Sequence, residues 1–329
     1  MDQRKLGNTG PTVSAIGLGC MGMSDMYGPA DRAESQATIH AALEAGVDLL
    51  DTGDFYGMGH NEMLIGEALE GVSRNRYRLS VKFGALRGPD GGWLGYDARP
   101  QAVKTAAAYS LRRLRTDHID IYRPSRLDPA VPIEDTIGAI AELVKAGYVR
   151  HIGLSEVGAE TIRRAAAVHP IVDLQIEYSL ISRGIEREIL DTCRELGIAI
   201  TAYGVLSRGL LGGHMRAVSG ATDFRAHAPR FQGENLAKNL AITEALRAVA
   251  AARGLTPAQA AIAWVAAQGR DIVPLVGARR RERLAEALGA LDAPLTPEDL
   301  AALEQAAPAE AVAGDRYPAP QMAMLDSER

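Results

Sequence analysis

GLGCMG, Gly17 to Gly22, is the stretch on which the fold turns. It matches G-x-G-x-x-G and follows a short apolar run, VSAI. As a dinucleotide fingerprint it opens a helix at once and needs an acid about 20 residues on, at the end of the next strand. As the glycine-rich rim of a barrel it needs neither. The chain continues through MSDMYGPADR before the helical pattern AESQATIHAALEAG begins at Ala33, and the acid ending the next apolar run, Asp51, lies beyond that reach. The rim reading stands, and any nucleotide is held elsewhere.

Working outward, eight apolar, β-branched runs recur: VSAIGLG, VDLLDTG, RLSVKFG, HIDIYR, RHIGLSE, VDLQIEY, IAITAYG and DIVPLVG. Between them lie segments such as RPQAVKTAAAYSLRRL and EDTIGAIAELVKAG, with apolar residues at helical spacing. Gly46, Gly147, Gly197 and Gly254 stand where helix stops belong. Eight strands alternating with helices predict a parallel sheet closed into a (β/α)8 TIM barrel. QRKLGNTGPTVS predicts an added N-terminal β-hairpin turned by Asn8-Thr9-Gly10. After strand seven comes a long irregular loop, SRGLLGGHMRAVSGATDFRAHAPRFQGEN, expected on the face of the barrel that carries chemistry. Neither a linker nor a low-complexity tract interrupts the pattern, so residues 1–329 read as a single domain.

Composition narrows the function. The net charge is 36 − 41 = −5, which offers no broad basic surface to nucleic acid or anionic membrane. Cys20 and Cys193 are too few for a disulfide framework or a thiolate metal site, and no H-x-x-x-H pattern occurs. The opening MDQRKLGNTG lacks an apolar leader core, and no apolar run is long enough to span a bilayer. The expectation is a cytoplasmic protein without a metal centre. Its oligomeric state is not legible.

Barrel chemistry sits at the C-terminal ends of strands. Strand two ends in Asp51, with Tyr56 in the following loop, DTGDFYG; strand three carries Lys82 in SVKFG. Singly, each has a structural explanation: a turn cap, a packed phenol with a wet hydroxyl, an ion pair. Together they describe a proton donor. A phenol is a weak acid at neutral pH, and a nearby ammonium favours its ionised form. Lys82 would let Tyr56 protonate a developing alkoxide, and Asp51 would keep Lys82 charged. A hydride must come from a cofactor, because no side chain supplies one.

DTGDFYG.GHNEMLIGEAL, SLRRLRTDHIDIY, GYVRHIGLSE, AYGVLSRGLL and PRFQGENLAKN resemble the aldo-keto reductase superfamily over nearly the whole chain. The resemblance implies a barrel that binds NADPH without a Rossmann fold and reduces aldehydes or ketones, a small-molecule carbonyl substrate. Its catalytic Asp, Tyr and Lys fall on Asp51, Tyr56 and Lys82. It further implies that Tyr203 stacks on the nicotinamide, and that Ser155 and Gln175 hold the carboxamide. Gly22 and Met23 belong to the cofactor-side rim, and Leu206, Ser207, Arg208 and Gly209 to the loop covering the pyrophosphate. Gly277 ends the last strand, and Arg279 and Arg283 resemble a clamp for the 2′-phosphate, with Glu286 at the adenine. Two departures stand out: Glu156 replaces an Asn common after the serine, and Ala287 an Asn beside the adenine contact.

A third departure concerns the reaction itself. Many members end strand four in Gln-His-Arg-x-Asp-Pro, and that His orients the substrate oxygen. Here the stretch is Arg123-Pro124-Ser125-Arg126-Leu127-Asp128-Pro129, so Ser125 stands in its place. Three readings compete: Tyr56 with Lys82 suffices in a roomier site; the chemistry is altered to C=C or imine reduction; or the protein binds NADPH as a weakly catalytic sensor or regulatory subunit. His60 could substitute for the imidazole or be merely a rim residue. The run GLSEVGAETIRRAAAVHPI is closest in character to pyridoxal-reductase-like members, which makes pyridoxal a candidate substrate.

Overall fold

The structure is a computed structural model that describes residues 1–24, 26–218 and 223–329. All eight apolar runs are strands of one closed parallel barrel. In chain order they are β1 (Gly17–Gly19), β2 (Leu49–Gly53), β3 (Arg78–Phe83), β4 (Ile119–Pro124), β5 (Val149–Ser155), β6 (Ile171–Glu177), β7 (Ala199–Tyr203) and β8 (Ile272–Gly277). Each pairs with its neighbours in sequence, and β8 closes on β1 through Leu275 opposite Gly17 and Gly277 opposite Gly19. GLGCMG runs into a short turn, Met21–Met23, and the next helix among the described residues is Arg32–Glu44, as the rim reading requires.

The expected hairpin is present, pairing Gln3–Lys5 with Thr12–Ser14. Its left-handed turn residue is Gly7 (φ 59°) rather than Gly10, and both positions exclude a Cβ, which would lie 2.5 Å from the Gly197 carbonyl oxygen at Gly7 and 2.0 Å from the Leu6 carbonyl oxygen at Gly10. Leu6 and Val13 pack with Leu49, Ile121, Val172, Ala199 and Val273, so the hairpin plugs the N-terminal end of the barrel. Gly46, Gly147, Gly197 and Gly254 all take positive φ, which a Cβ would disfavour.

Inside the barrel, below the C-terminal mouth, lies a polar floor. Arg123 is fully buried and donates to Asp173 at 2.9 Å and to Ser80 at 3.0 Å; Thr201 donates to the same Asp173 carboxylate. Gly153 makes this possible, since a Cβ there would meet Asp173 Oδ1 at 2.6 Å and Arg123 Cζ at 3.0 Å.

The loop after β7 is built from short turns, Ser207–Gly212, Phe224–His227 and Pro229–Phe231, and residues 219–222 of it lie outside the described residues. Two helices, Gly233–Ala252 and Pro257–Ala267, then return the chain to β8. One element was not expected: a second hairpin, Ala85–Arg87 with Trp93–Tyr96, stands at the mouth after β3.

Candidate active site

Every barrel strand sends a residue to one cavity of about 530 Å³ at the C-terminal mouth. Gly19, Asp51, Lys82, Ser125, Ser155, Gln175, Tyr203 and Gly277 come from the ends of β1 to β8 in turn. Such convergence is what parallel closure produces, and it explains why residues far apart in sequence meet.

Lys82 lies at the centre. Its ammonium donates to Asp51 and, at 2.9 Å, to Gln175 Oε1, while the Gln175 amide donates to Asp51 Oδ2 at 2.6 Å. Ser80 adds a hydroxyl bond to Asp51 at 2.8 Å, connecting this ring to the polar floor. Burial pulls the Lys82 pKa below its ordinary value, and Asp51 opposes that pull. Asp51 thus counters the burial that disfavours the Lys82 charge.

Tyr56 lines the same cavity, with Lys82 Nζ 5.2 Å from its ring centroid. Here the electrostatic expectation needs correction. Burial first, and the Asp51 carboxylate second, push the phenol well above its ordinary pKa. Among the larger influences the opposing cation is Arg126. Tyr56 thus stands protonated, as a proton donor must.

The loop carrying it is held by conformation and by one amide. Gly57, Met58 and Gly59 take φ of 55°, 54° and 93° in succession, a left-handed path that turns Tyr56 inward. Buried Asn61 accepts from Thr52 at 2.7 Å and donates to the Cys20 carbonyl and to Ser24, both at 2.8 Å. His60 does not line the cavity. Its ring meets Ser24 Oγ at 2.9 Å and Arg32 at 3.3 Å, so it does not stand in for the imidazole.

Ser125 and Ser155 both line the cavity with buried hydroxyls that have no hydrogen-bond partner among the described residues. Buried polar atoms are ordinarily satisfied, so two orphans facing one cleft mark places for ligand atoms. Glu156, next to Ser155, does not line the cavity. Fully buried at φ 53°, it turns away from the cavity to Arg316, with Tyr203 and Ser327 donating to it at 2.7 and 2.8 Å. It has no capacity left for a carboxamide.

Gly22, Leu206, Arg208, Gly209, Gly277, Arg279 and Arg283 line the far part of the cavity; Met23, Ser207 and Glu286 do not. Met23 and Ser207 are buried behind it. Glu286 accepts from Arg283 at 2.9 Å and meets His214 at 3.3 Å, so its place is to hold Arg283. Arg279 donates to the carbonyls of Tyr27, Gly28 and Pro29, which ties the last strand to the loop after β1.

Arg87, Trp93, Tyr96, Arg126 and Tyr317, none of them singled out from the sequence, also line the cavity. ALRGPDGGWLGY carried a usable signal, two short apolar runs about a Pro-Asp-Gly turn. Tyr317 had none, since its partners, Tyr203 at 3.0 Å and Arg126 at 3.2 Å, are remote in sequence. Among the described residues no group of His, Cys, Asp and Glu could hold a metal ion, and no helix is long and apolar enough to cross a membrane.

A parallel (β/α)8 barrel whose mouth gathers a protonated tyrosine, a lysine–aspartate pair and an elongated cleft defines a barrel oxidoreductase. The chain belongs to the Aldo/keto reductase family, which its residues 15–308 match, and is an NAD(P)H-dependent enzyme of carbonyl groups. It is 43% identical over 318 residues to "Probable aldo-keto reductase 1" of Glycine max, covering 95% of this chain and 91% of that one. Among solved structures it is similar to the glycerol dehydrogenase from Gluconobacter oxydans (TM-score 0.84, 30% identity, 93% and 94% of the two chains). It is similar too to an aldo-keto reductase from Bacillus halodurans in its holo form (TM-score 0.77, 28% identity, 94% and 97%).

Proposed function

We propose that this protein reduces an aldehyde or ketone to the alcohol with NADPH, and that Tyr56 gives the proton. The observation that carries the reading is the convergence of Tyr56, the Lys82–Asp51 pair and the unpartnered Ser125 hydroxyl on one cavity. The cleft fits the cofactor in kind: an orphan hydroxyl at Ser155, an aromatic at Tyr203, glycines at Gly22, Gly209 and Gly277, and arginines at Arg279 and Arg283. Ser155 and Gln175 would hold the carboxamide and Tyr203 the ring. Leu206 to Gly209 would cover the pyrophosphate, and Arg279 and Arg283 would take the 2′-phosphate, as planar guanidinium groups do. When bound, the nicotinamide supplies the hydride that adds to the carbonyl carbon.

The chain's own residues do the rest. Tyr56 delivers its proton to the carbonyl oxygen, and Lys82, held by Asp51, stabilises the phenolate left behind. Gln175 spends both ends of its amide on this pair, so engaging a carboxamide means exchanging one of those bonds. Ser125 offers the substrate oxygen a neutral, shorter donor where imidazole is common in the family.

The test is a fluorescence titration with NADPH and with NADH, followed by a panel of aldehydes that includes pyridoxal. Tighter NADPH binding with turnover abolished in Tyr56→Phe supports the proposal. Tight binding with no turnover of any carbonyl would move the reading to a sensor or to C=C or imine reduction.

A further inference from the structure

Four of the eight cations lining the cavity are neutralised. Lys82 pairs with Asp51, Arg208 with Glu177, Arg225 with Asp223 and Arg283 with Glu286. Arg126 is not. Among the described residues, its guanidinium donates to the Ser125 carbonyl at 2.6 Å and the Tyr317 hydroxyl at 3.2 Å, and ion-pairs with no carboxylate. The acid whose charge it feels, Glu156, is already saturated by Arg316, Tyr203 and Ser327. A guanidinium has more N–H donors than these two contacts use.

Its place is at the reacting end of the cleft. Arg126 follows Ser125 directly, and its charge acts on both Tyr56 and Lys82. Across the mouth, Arg87 on the second hairpin also ion-pairs with no carboxylate among the described residues; it donates to the Gly91 carbonyl at 2.7 Å and lies 5.9 Å from the Trp93 ring. Between these cations the wall is aromatic, with Phe55 edge-on to Trp93 at 6.0 Å and Trp93 to Tyr96 at 5.6 Å. A sheltered cation without a counter-ion is costly, and the cost is relieved when a ligand brings the anion.

We propose that the substrate is an anionic carbonyl compound, an aldehyde or ketone bearing a carboxylate or phosphate, and that Arg126 anchors the anion. The proposal rests on the reductase reading and adds the substrate class to it. Arg126 forms a forked pair with the oxyanion, Arg87 adds charge from the hairpin, and the aromatic wall covers the body of the molecule. The carbonyl end is thereby left to Tyr56 and Ser125.

The experiment measures kcat/KM with NADPH for matched pairs, benzaldehyde against 4-carboxybenzaldehyde and pyridoxal against pyridoxal 5′-phosphate, in the native protein and in Arg126→Met and Arg126→Lys. The native protein should favour the charged member by about 10- to 100-fold, a preference that Arg126→Met loses and Arg126→Lys partly keeps. The pair that shows the preference tells carboxylate from phosphate. Equal kcat/KM within both pairs overturns the proposal. So does an equal loss on neutral and charged substrates in Arg126→Met, which would put Arg126 on the carbonyl itself.

If nothing is turned over, the reductase reading has failed, and binding decides the anion site. Trp93 is part-exposed at the mouth whereas Trp264 is fully buried, so tryptophan fluorescence follows benzoate, benzamide and inorganic phosphate. Benzoate or phosphate binding that benzamide does not match, and that Arg126→Met abolishes, sustains the anion site. Its absence ends it.

Discussion

Arg316 grips Glu156 with both arms, at 2.9 and 2.7 Å, across 160 residues of chain, and both side chains are buried. Burial alone would raise the Glu156 pKa, but the Arg316 guanidinium overrides it and holds the carboxyl well below the usual range. Arg316 goes on to Glu328 at 2.6 Å, so the C-terminal segment is stapled over the end of β5. This staple sets Tyr317 against Tyr203 and Arg126 and gives the cavity its roof.

Arg316→Met should therefore be severe, because it leaves Glu156 buried and uncompensated. Removing one partner of such a pair costs roughly 3–5 kcal/mol. Glu156 contributes stability above the unfolded carboxylate pKa and loses it as pH falls through its depressed folded pKa. In the variant that contribution is gone, so its deficit is full at neutral pH and narrows in acid. Urea denaturation at neutral pH and at about pH 3, below the unfolded carboxylate value, checks this. A deficit that does not change with pH would assign the loss to packing.

The pair beneath the mouth makes a different prediction. Lys82→Met and Tyr56→Phe should each lower kcat by about 10²- to 10⁴-fold with cofactor binding retained. Asp51→Asn should act through Lys82. Burial already lowers the Lys82 pKa, and the Asp51 carboxylate is the main influence opposing it. Without that carboxylate, activity should be lost on the alkaline side at lower pH than in the native protein. A pH profile of kcat/KM reads the shift, and an unmoved alkaline limb would show that Lys82 charge is not what that limb reports.

Ser125 is a cleaner probe than most active-site residues, because its hydroxyl bonds nothing among the described residues. Ser125→Ala breaks no such contact, so the melting temperature should stay within a degree or two, on the order of the ±0.5 kcal/mol of a neutral change. If the hydroxyl donates to the substrate oxygen, kcat/KM should fall about 5- to 50-fold, the value of one such bond. Unchanged kcat/KM would leave catalysis to Tyr56 alone.

What was legible in the sequence shares a physical origin. The eight strands are local apolar runs, and Asp51 and Lys82 betray themselves as charges inside such runs, where burial demands a reason. The decoy at Gly17–Gly22 could be rejected because a fingerprint makes demands on its neighbours that this stretch does not meet. The place of Glu156 was not legible because its partner lies in the C-terminal segment, and no local spacing reports a contact between Glu156 and Arg316. The Tyr56 phenol was misjudged for a related reason: the sequence shows that a lysine is near, but burial decides the pKa, and burial belongs to the folded chain.

Asp54 lies between Asp51 and Tyr56 in the chain and faces other neighbours. One oxygen accepts from the Gly84 amide at 3.2 Å, and the other is buried without a partner among the described residues. Burial first, and the nearby Glu62 second, push its carboxyl up to about 7. The folded state thus binds this proton more tightly than the unfolded chain, where the group titrates near ~3.9. Its contribution to stability is full below that unfolded value and is lost as pH rises through about 7. Asp54→Asn stays neutral throughout. Its stability relative to the native protein should rise between about pH 5 and about pH 8, by on the order of 1–3 kcal/mol, and level off above. Urea midpoints across that range measure the gap. A gap independent of pH would mean that Asp54 is ionised in the folded protein at pH 5, and that the loop bearing Tyr56 tolerates a buried charge at its base.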